Sequence, residues 1–185
     1  GSPLRRTFKR LLAPFALRLL DRNQQRYPLA FARVLCVSQA IRTALLAHTA
    51  IPPEQVQVVY NGIALDDFPF QARQRRRGQP LRLLYAGSLV PHKGVHCAVD
   101  AMSHLARQGA LEGLSLTIVG SGRPDYEARL RAAIAEGGLD QQVTLVGRVP
   151  RSAMPAQLAC HDVLVFPSQW PEPLARMTQE AMASG

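Results

Sequence analysis

The feature that most constrains this chain is a rhythm that begins at Leu81, where short apolar runs alternate with longer amphipathic ones and Gly or Pro marks the changes. Residues 81–86 (LRLLYA), 114–119 (LSLTIV) and 143–146 (VTLV) read as strands, and residues 163–166 (VLVF) as a buried strand. Between them, residues 94–105, 125–134 and 153–160 read as helices. Residues 174–183 read as a last helix, rich in good helix formers. Such alternation implies right-handed crossovers and a parallel sheet, hence an α/β fold. Ligands of such sheets sit outside the carboxyl ends of the strands, so the loops that follow the strands are the place to look for function.

Upstream of that rhythm the pattern is shorter. Residues 33–37 read as a strand, Ser38 as a helix N-cap and residues 41–46 as a helix. Pro52 and Pro53 stop it, residues 56–60 make a second strand, and Asn61 with Gly62 is expected to turn. Residues 66–80 (DDFPFQARQRRRGQP) have the polarity and Pro/Gly content of a linker, so a domain boundary is expected there. The four arginines within it, Arg73, Arg75, Arg76 and Arg77, read as a solvated loop.

Charge narrows the choice of partners. The formal net charge is +9, and most of it lies in residues 1–33, where eight basic residues face a single acid, Asp21. Residues 4–26 interleave those charges with Phe8, Leu11, Leu12, Phe15, Leu19 and Leu20 at near-helical spacing. Two readings stand: a surface helix packed on its own domain, or a patch that attracts an anionic membrane surface. Nucleic acid is not expected, because no recognition motif or interleaved aromatic accompanies the charge. No apolar run in this chain is long enough to span a bilayer, and Lys9, Arg10, Pro14 and Arg18 break up the apolar patches of residues 8–20, so no signal peptide is read there.

Three widely spaced cysteines, Cys36, Cys97 and Cys160, sit in apolar segments and look like buried thiols of a reducing compartment. The expected location is cytoplasmic, peripheral at the inner face of the membrane if the basic segment docks there. No His, Cys or acidic cluster has metal-ligand spacing; His92 and His96 alone are too few.

Four stretches then stand out for chemistry. Gly87 to Gly94 (GSLVPHKG) follows the first strand of the rhythm and carries Lys93, one of two lysines in the chain. Gly120, in IVGSG, follows the second strand, and Arg148 and Val149 follow the third. Downstream of the fourth lies WPEPLARMTQEAMASG, with Glu172 and Glu180 separated by seven residues. On a continuous helix that spacing puts about 12 Å between the two carboxylates. A helix N-terminus attracts phosphate, and a carboxylate beside it would serve best by accepting hydrogen bonds from sugar hydroxyls.

PSQWPEPLARMTQEAMASG resembles the donor-sugar motif of the retaining glycosyltransferases of family four, which have the GT-B fold. VLCVSQAIRTALL and VQVVYNGIALDDF are similar to the end of that family's N-terminal domain. The resemblance runs from about residue 33 to the end of the chain. It implies residues 1–65 as the last part of an N-terminal acceptor domain and 81–185 as a Rossmann-like nucleotide-sugar domain that continues beyond Gly185.

It also implies roles for single residues. Glu172 would contact the transferred sugar and Glu180 the ribose of the nucleotide. Lys93 would hold the donor pyrophosphate together with an arginine, but Ser88 stands at that arginine's position after Gly87, and Arg176 is the candidate substitute. Leu174 and Ala175, in place of the more usual Phe-Gly, would offer backbone amides to the sugar or phosphate. Arg148 and Val149 would lie against the nucleobase, and Gly120, in the second loop, would belong to the donor-binding set.

The activity implied is retaining, metal-independent transfer from a nucleotide diphosphate sugar to a hydroxyl of a glycan or lipid-linked acceptor, without a cofactor. These 185 residues alone are expected to bind nucleotide weakly and not to turn over. Two other readings remain open from the sequence: a different GT-B enzyme, either a sugar-nucleotide epimerase or an inverting transferase, or a basic module that binds membranes.

Overall fold

The computed structural model describes residues 31–72 and 78–185. The expected amphipathic helix of residues 4–26, the basic segment's docking face and the arginines of residues 73–77 lie outside the described residues. The chain divides into two compact units between Val59 and Tyr60. No helix among the described residues is long and apolar enough to cross a membrane.

The described part of the first unit is one parallel crossover. Strand β1 (Val34–Cys36) leads through helix α1 (Gln39–His48) to β2 (Val56–Val58), and the two strands pair in parallel with Val34 opposite Val56 and Cys36 opposite Val58. Ser38 caps α1 as expected, its Oγ accepting from the Ile41 N–H at 3.3 Å. Helix and strand are tied further by Arg42, whose Nε donates to the Val56 carbonyl at 3.3 Å.

The expected turn at Asn61 and Gly62 is absent. Gly62 does not adopt a positive φ, and residues 59–64 carry no turn. An Asn-Gly turn is favoured where a chain doubles back to pair with its own strand. The segment after β2 does not do so, and the Asn61 carbonyl instead accepts from the Gln179 side-chain amide at 3.1 Å, within the second unit.

That second unit holds a four-stranded parallel sheet in the order β5-β4-β3-β6. Its elements are β3 (Leu81–Ala86), α2 (Val95–Arg107), β4 (Leu114–Val119), α3 (Pro124–Glu136), β5 (Val143–Gly147), α4 (Met154–Ala159), β6 (Val163–Leu164) and α5 (Arg176–Ser184). Strands β3 and β4 occupy the residues expected. They pair along their full length, from Leu81 opposite Leu114 to Ala86 opposite Val119. Between β4 and β5 the register shifts at Ile118 and Val119, so Val119 faces Gly147.

Alternation along the strands builds a core on each face of the sheet. On one face Tyr85, Leu116 and Ile118 pack with Val99 and Met102 of α2 and Leu130 of α3. On the other, Leu84 and Val119 pack with Met154 and Leu158 of α4 and with Phe68, while Met177 and Ala181 of α5 lie alongside. Phe68 is 3% exposed, and the Gln71 N–H donates to the Ser184 carbonyl at 2.9 Å. Residues 66–72, expected as linker, are therefore bound to the second unit, because an aromatic ring beside an apolar sheet face gains more by burial than by solvation.

Two further expectations change. The strand over residues 163–166 is shorter and less buried than its composition implied: β6 covers two residues, Val163 is 44% exposed and Phe166 42%. Its position explains this, since among the described residues β6 is an edge strand with β3 as its one neighbour. The last helix begins at Arg176, two residues later than expected. Pro171 and Pro173 lack N–H groups and push the residues before them out of the helical region, and Ala175 is extended, with φ −81° and ψ 99°. Glu172 is consequently in a loop, and the helical 12 Å spacing does not apply to it.

The strand order has one further consequence. From β3 the chain winds outward to β4 and β5, then returns to β6 on the opposite side of β3. The crevice at the carboxyl ends of β3 and β6 is thus the topological switch point of the sheet.

Candidate functional site

A cavity of about 370 Å³ opens at that switch point. Its walls come from the end of β3 and the loop after it (Tyr85, Ala86, Gly87, Ser88, Lys93), the loop after β6 (Phe166, Glu172, Leu174), the start of α5 (Ala175, Arg176, Met177, Glu180) and Arg151.

Backbone geometry brings the first loop into place. The ladder between β3 and β4 continues past both strands, with the Gly87 N–H donating to the Val119 carbonyl and the Leu89 N–H to the Ser121 carbonyl, each at 3.0 Å. Gly120, at φ 144°, permits this approach, because a Cβ there would overlap the Gly87 carbonyl oxygen. The Tyr85 hydroxyl donates to the Ser88 carbonyl at 2.9 Å, and burial pushes the phenol's pKa well above its ordinary value, so it remains a neutral donor.

The same loop then meets the segment after β6. Gly94 is left-handed at φ 70°, and a Cβ on it would overlap the Pro167 carbonyl oxygen. Two residues away along each segment of this contact, the Gln169 N–H donates to the His92 carbonyl at 2.9 Å. His92 and Trp170 stack edge to face, with ring centroids 5.5 Å apart.

These contacts set Lys93 against Glu172. The ammonium Nζ is 2.6 Å from Glu172 Oε1, and the Ser168 hydroxyl donates to the same oxygen at 2.7 Å. Burial by itself would raise the Glu172 pKa, but the hydrogen bonds from Lys93, Ser168 and the Trp170 side chain outweigh it and hold the carboxyl below its ordinary value. Glu172 is therefore ionised at neutral pH.

Glu180 occupies the second turn of α5 and is 1% exposed. Its Oε1 accepts from Arg151 Nη2 at 2.9 Å and lies 3.9 Å from Arg176 Nη2. A carboxylate so deeply buried requires such partners, since an unpaired buried charge is strongly destabilising. The amides at the start of α5 have no side-chain cap, which leaves the positive end of the helix dipole facing the cavity where Ala175, Arg176 and Met177 line it. The site thus combines three basic side chains and an uncapped helix N-terminus, which can hold an anion, with two carboxyl groups able to accept from hydroxyl groups.

The structure brings together Gly87, Ser88, Lys93, Glu172, Leu174, Ala175, Arg176 and Glu180 of the residues singled out in the sequence. Gly120, Arg148 and Val149 do not line this cavity. Gly120 acts behind the wall, on the Gly87 carbonyl; Arg148 is exposed; Val149 packs beside the cluster of Leu84 and Val119. Sequence reasoning missed Arg151, Ser168 and Tyr85. Arg151 sits just past Pro150, in the loop after β5, which was the one weak signal available.

Comparison with known proteins places this geometry. A family model described as "Glycosyl transferases group 1" matches residues 67–185. The amylovoran biosynthesis glycosyltransferase AmsK of Erwinia amylovora is 33% identical over 153 residues, covering 81% of this chain and 36% of AmsK. A glycogen synthase of Mycobacterium tuberculosis is 35% identical over 135 residues, covering 71% of this chain and 30% of that enzyme. The chain thus spans about a third of the length of these relatives. Among solved structures, HepE of Anabaena in complex with UDP and glucose superposes with a TM-score of 0.71 at 23% identity, over 90% of this chain and 45% of HepE. WaaG, a glycosyltransferase of lipopolysaccharide biosynthesis, superposes with a TM-score of 0.65 at 20% identity, over 82% of this chain and 42% of WaaG. The α/β architecture is thus shared with glycosyltransferases of the GT-B type.

Proposed function

The chain belongs to the group 1 glycosyl transferases, and on that premise we propose that its cavity is the donor site of an enzyme moving a sugar from a nucleotide diphosphate sugar to a hydroxyl acceptor. The observation that carries the reading is that the paired Lys93 and Glu172 line the same cavity as the uncapped start of α5 and the buried Glu180. The complex of HepE with UDP and glucose favours a uridine diphosphate sugar as donor.

In the proposed reaction the bond between the anomeric carbon and the diphosphate oxygen breaks, and its electron pair leaves with the diphosphate. Lys93 and the positive end of α5 stabilise that growing negative charge, with no metal or cofactor needed. Glu172, ionised and beside the lysine, orients the sugar and faces the positive charge developing at the anomeric carbon. The acceptor oxygen attacks from the face the leaving group vacates, and its proton passes to a phosphate oxygen, which gives retention. Glu180 accepts from the ribose hydroxyls, and the amides of Leu174 and Ala175 face the sugar or phosphate. Arg148 and Val149 are proposed to meet the base from outside the cavity wall. A lipid-linked or glycan acceptor at the cytoplasmic face of a membrane would suit the basic segment of residues 1–33.

The test is a thermal-shift screen of the full chain with UDP, GDP and ADP, followed by their sugars. A ligand bound by the folded state alone raises its melting temperature, and UDP is expected to do so most. An active donor-acceptor pair then allows product stereochemistry to be read by NMR. No response to any nucleoside diphosphate would overturn the reading, and inversion at the anomeric carbon would overturn its retaining form.

A further inference from the structure

We propose that Arg151 is the second cation of the donor diphosphate, holding Glu180 with one arm of its guanidinium and the diphosphate with the rest. This deepens the donor-site reading above and rests on it.

The cavity's charges show why another cation is required. Lys93 is engaged by Glu172 at 2.6 Å, so its charge is largely answered before a ligand arrives. Ser88, which stands where the sequence resemblance implies an arginine, lines the cavity but offers no charge. Two arginines remain on the wall, Arg151 and Arg176, with side chains 59% and 53% exposed. Both face the same oxygen of Glu180.

Their anchoring separates them. Arg151 is within hydrogen-bond distance of Glu180 Oε1, at 2.9 Å, whereas Arg176 stands off at 3.9 Å. Glu180 is 1% exposed and fixed in the second turn of α5, so it is a rigid post for the guanidinium it holds. Arg151 is restrained at its own end too, by Pro150 at φ −63° and by the 3-10 turn Arg151–Ala153. An arginine held at both ends gives up little further freedom when it meets a ligand, and a preorganised donor is worth more than a mobile one.

Guanidinium chemistry allows the double duty. The group carries five N–H donors in a planar fork and cannot be deprotonated, and the contact with Glu180 uses one of them. The others remain to meet oxygens of a diphosphate in the same cavity. Through this one residue the carboxylate assigned to the ribose and the cation assigned to the diphosphate are held in fixed relation, which sets the distance between the two parts of the nucleotide that the site reads.

Isothermal titration of the full chain with uridine and with UDP tests this, using Arg151→Gln, Arg151→Lys and Arg176→Gln. If Arg151 meets the diphosphate, Arg151→Gln weakens UDP by roughly tenfold or more beyond whatever it costs uridine through the loosened Glu180. Arg151→Lys keeps a charge beside Glu180 and so guards against misfolding; it is expected to retain uridine affinity and lose several-fold for UDP. Arg176→Gln is expected to cost UDP less than Arg151→Gln does. Equal weakening of uridine and UDP by Arg151→Gln would show that Arg151 only supports Glu180, and would overturn the proposal. An unchanged UDP affinity, or a UDP-selective loss confined to Arg176→Gln, would overturn it equally. If the unsubstituted chain binds neither uridine nor UDP, it is the donor-site reading itself that fails.

Discussion

Lys93 and Glu172, 79 residues apart in sequence, meet at 2.6 Å at the carboxyl ends of two adjacent parallel strands. Neither residue lies in a regular strand or α-helix. The 3-10 turn Pro91–Lys93 and the proline-bounded loop after β6 carry them, and the close packing of Gly94 on Pro167 sets their separation.

Coupling between the two is expected in both stability and catalysis. Lys93→Met, Glu172→Gln and the double variant, compared by urea denaturation, should give a coupling energy of about 1 kcal/mol, because both side chains remain partly solvated. Once an active donor-acceptor pair is known for the full-length protein, Glu172→Gln in it is expected to lower kcat by roughly a hundredfold, the scale of losing one preorganised charge facing a transition state. Additive stabilities would show that the pair contributes nothing beyond its separate members.

The acid side of the stability profile should carry the signature of Glu172. Its folded pKa is depressed, so the stability it contributes is complete above its unfolded value of about 4.3 and is lost as pH falls through the folded value. The difference in unfolding free energy between the unsubstituted chain and Glu172→Gln should therefore stay flat from about pH 8 to pH 5 and shrink only in stronger acid. A difference that collapses between neutral pH and about pH 6 would mean a raised pKa instead, and a different partner for the carboxylate.

Gly94→Ala tests how the loops are clamped. Alanine is strained at φ 70°, and its methyl group would meet the Pro167 carbonyl, so a cost of about 1–3 kcal/mol is expected together with weaker UDP binding, as Lys93 shifts away from Glu172. Gly62→Ala is the control. Nothing lies within 4 Å of its Cβ position and its φ is not positive, so the change should be close to neutral in urea denaturation.

Phe68 separates a linker from a packed segment. Its ring is 3% exposed among Leu84, Val119, Met154 and Leu158, so Phe68→Ala should destabilise the second unit by about 3–5 kcal/mol. Leu65→Ala, at a side chain 67% exposed, should change stability by less than about 0.5 kcal/mol. Similar small effects at both positions would restore the linker reading for residues 66–72.

The residues alone determined the α/β class, the limits of β3 and β4, the Ser38 cap and most of the lysine, glycine and glutamate positions that line the cavity. The class, the strand limits and the cap follow from apolar periodicity and short-range backbone chemistry, which act over a few neighbours and so can be read along the chain. The lysine and glutamate positions were marked instead by the resemblance of their motifs to the glycosyltransferase family. Tertiary structure alone decided that β6 is an exposed edge among the described residues, that Phe68 is buried, and that Glu172 sits in a loop while Glu180 sits in a helix. It also chose Arg151 as the partner of Glu180, across 29 residues. Such choices depend on which strand ends fall side by side once the sheet forms, and a long side chain takes whatever opposite charge that packing brings within reach. No local pattern encodes that outcome.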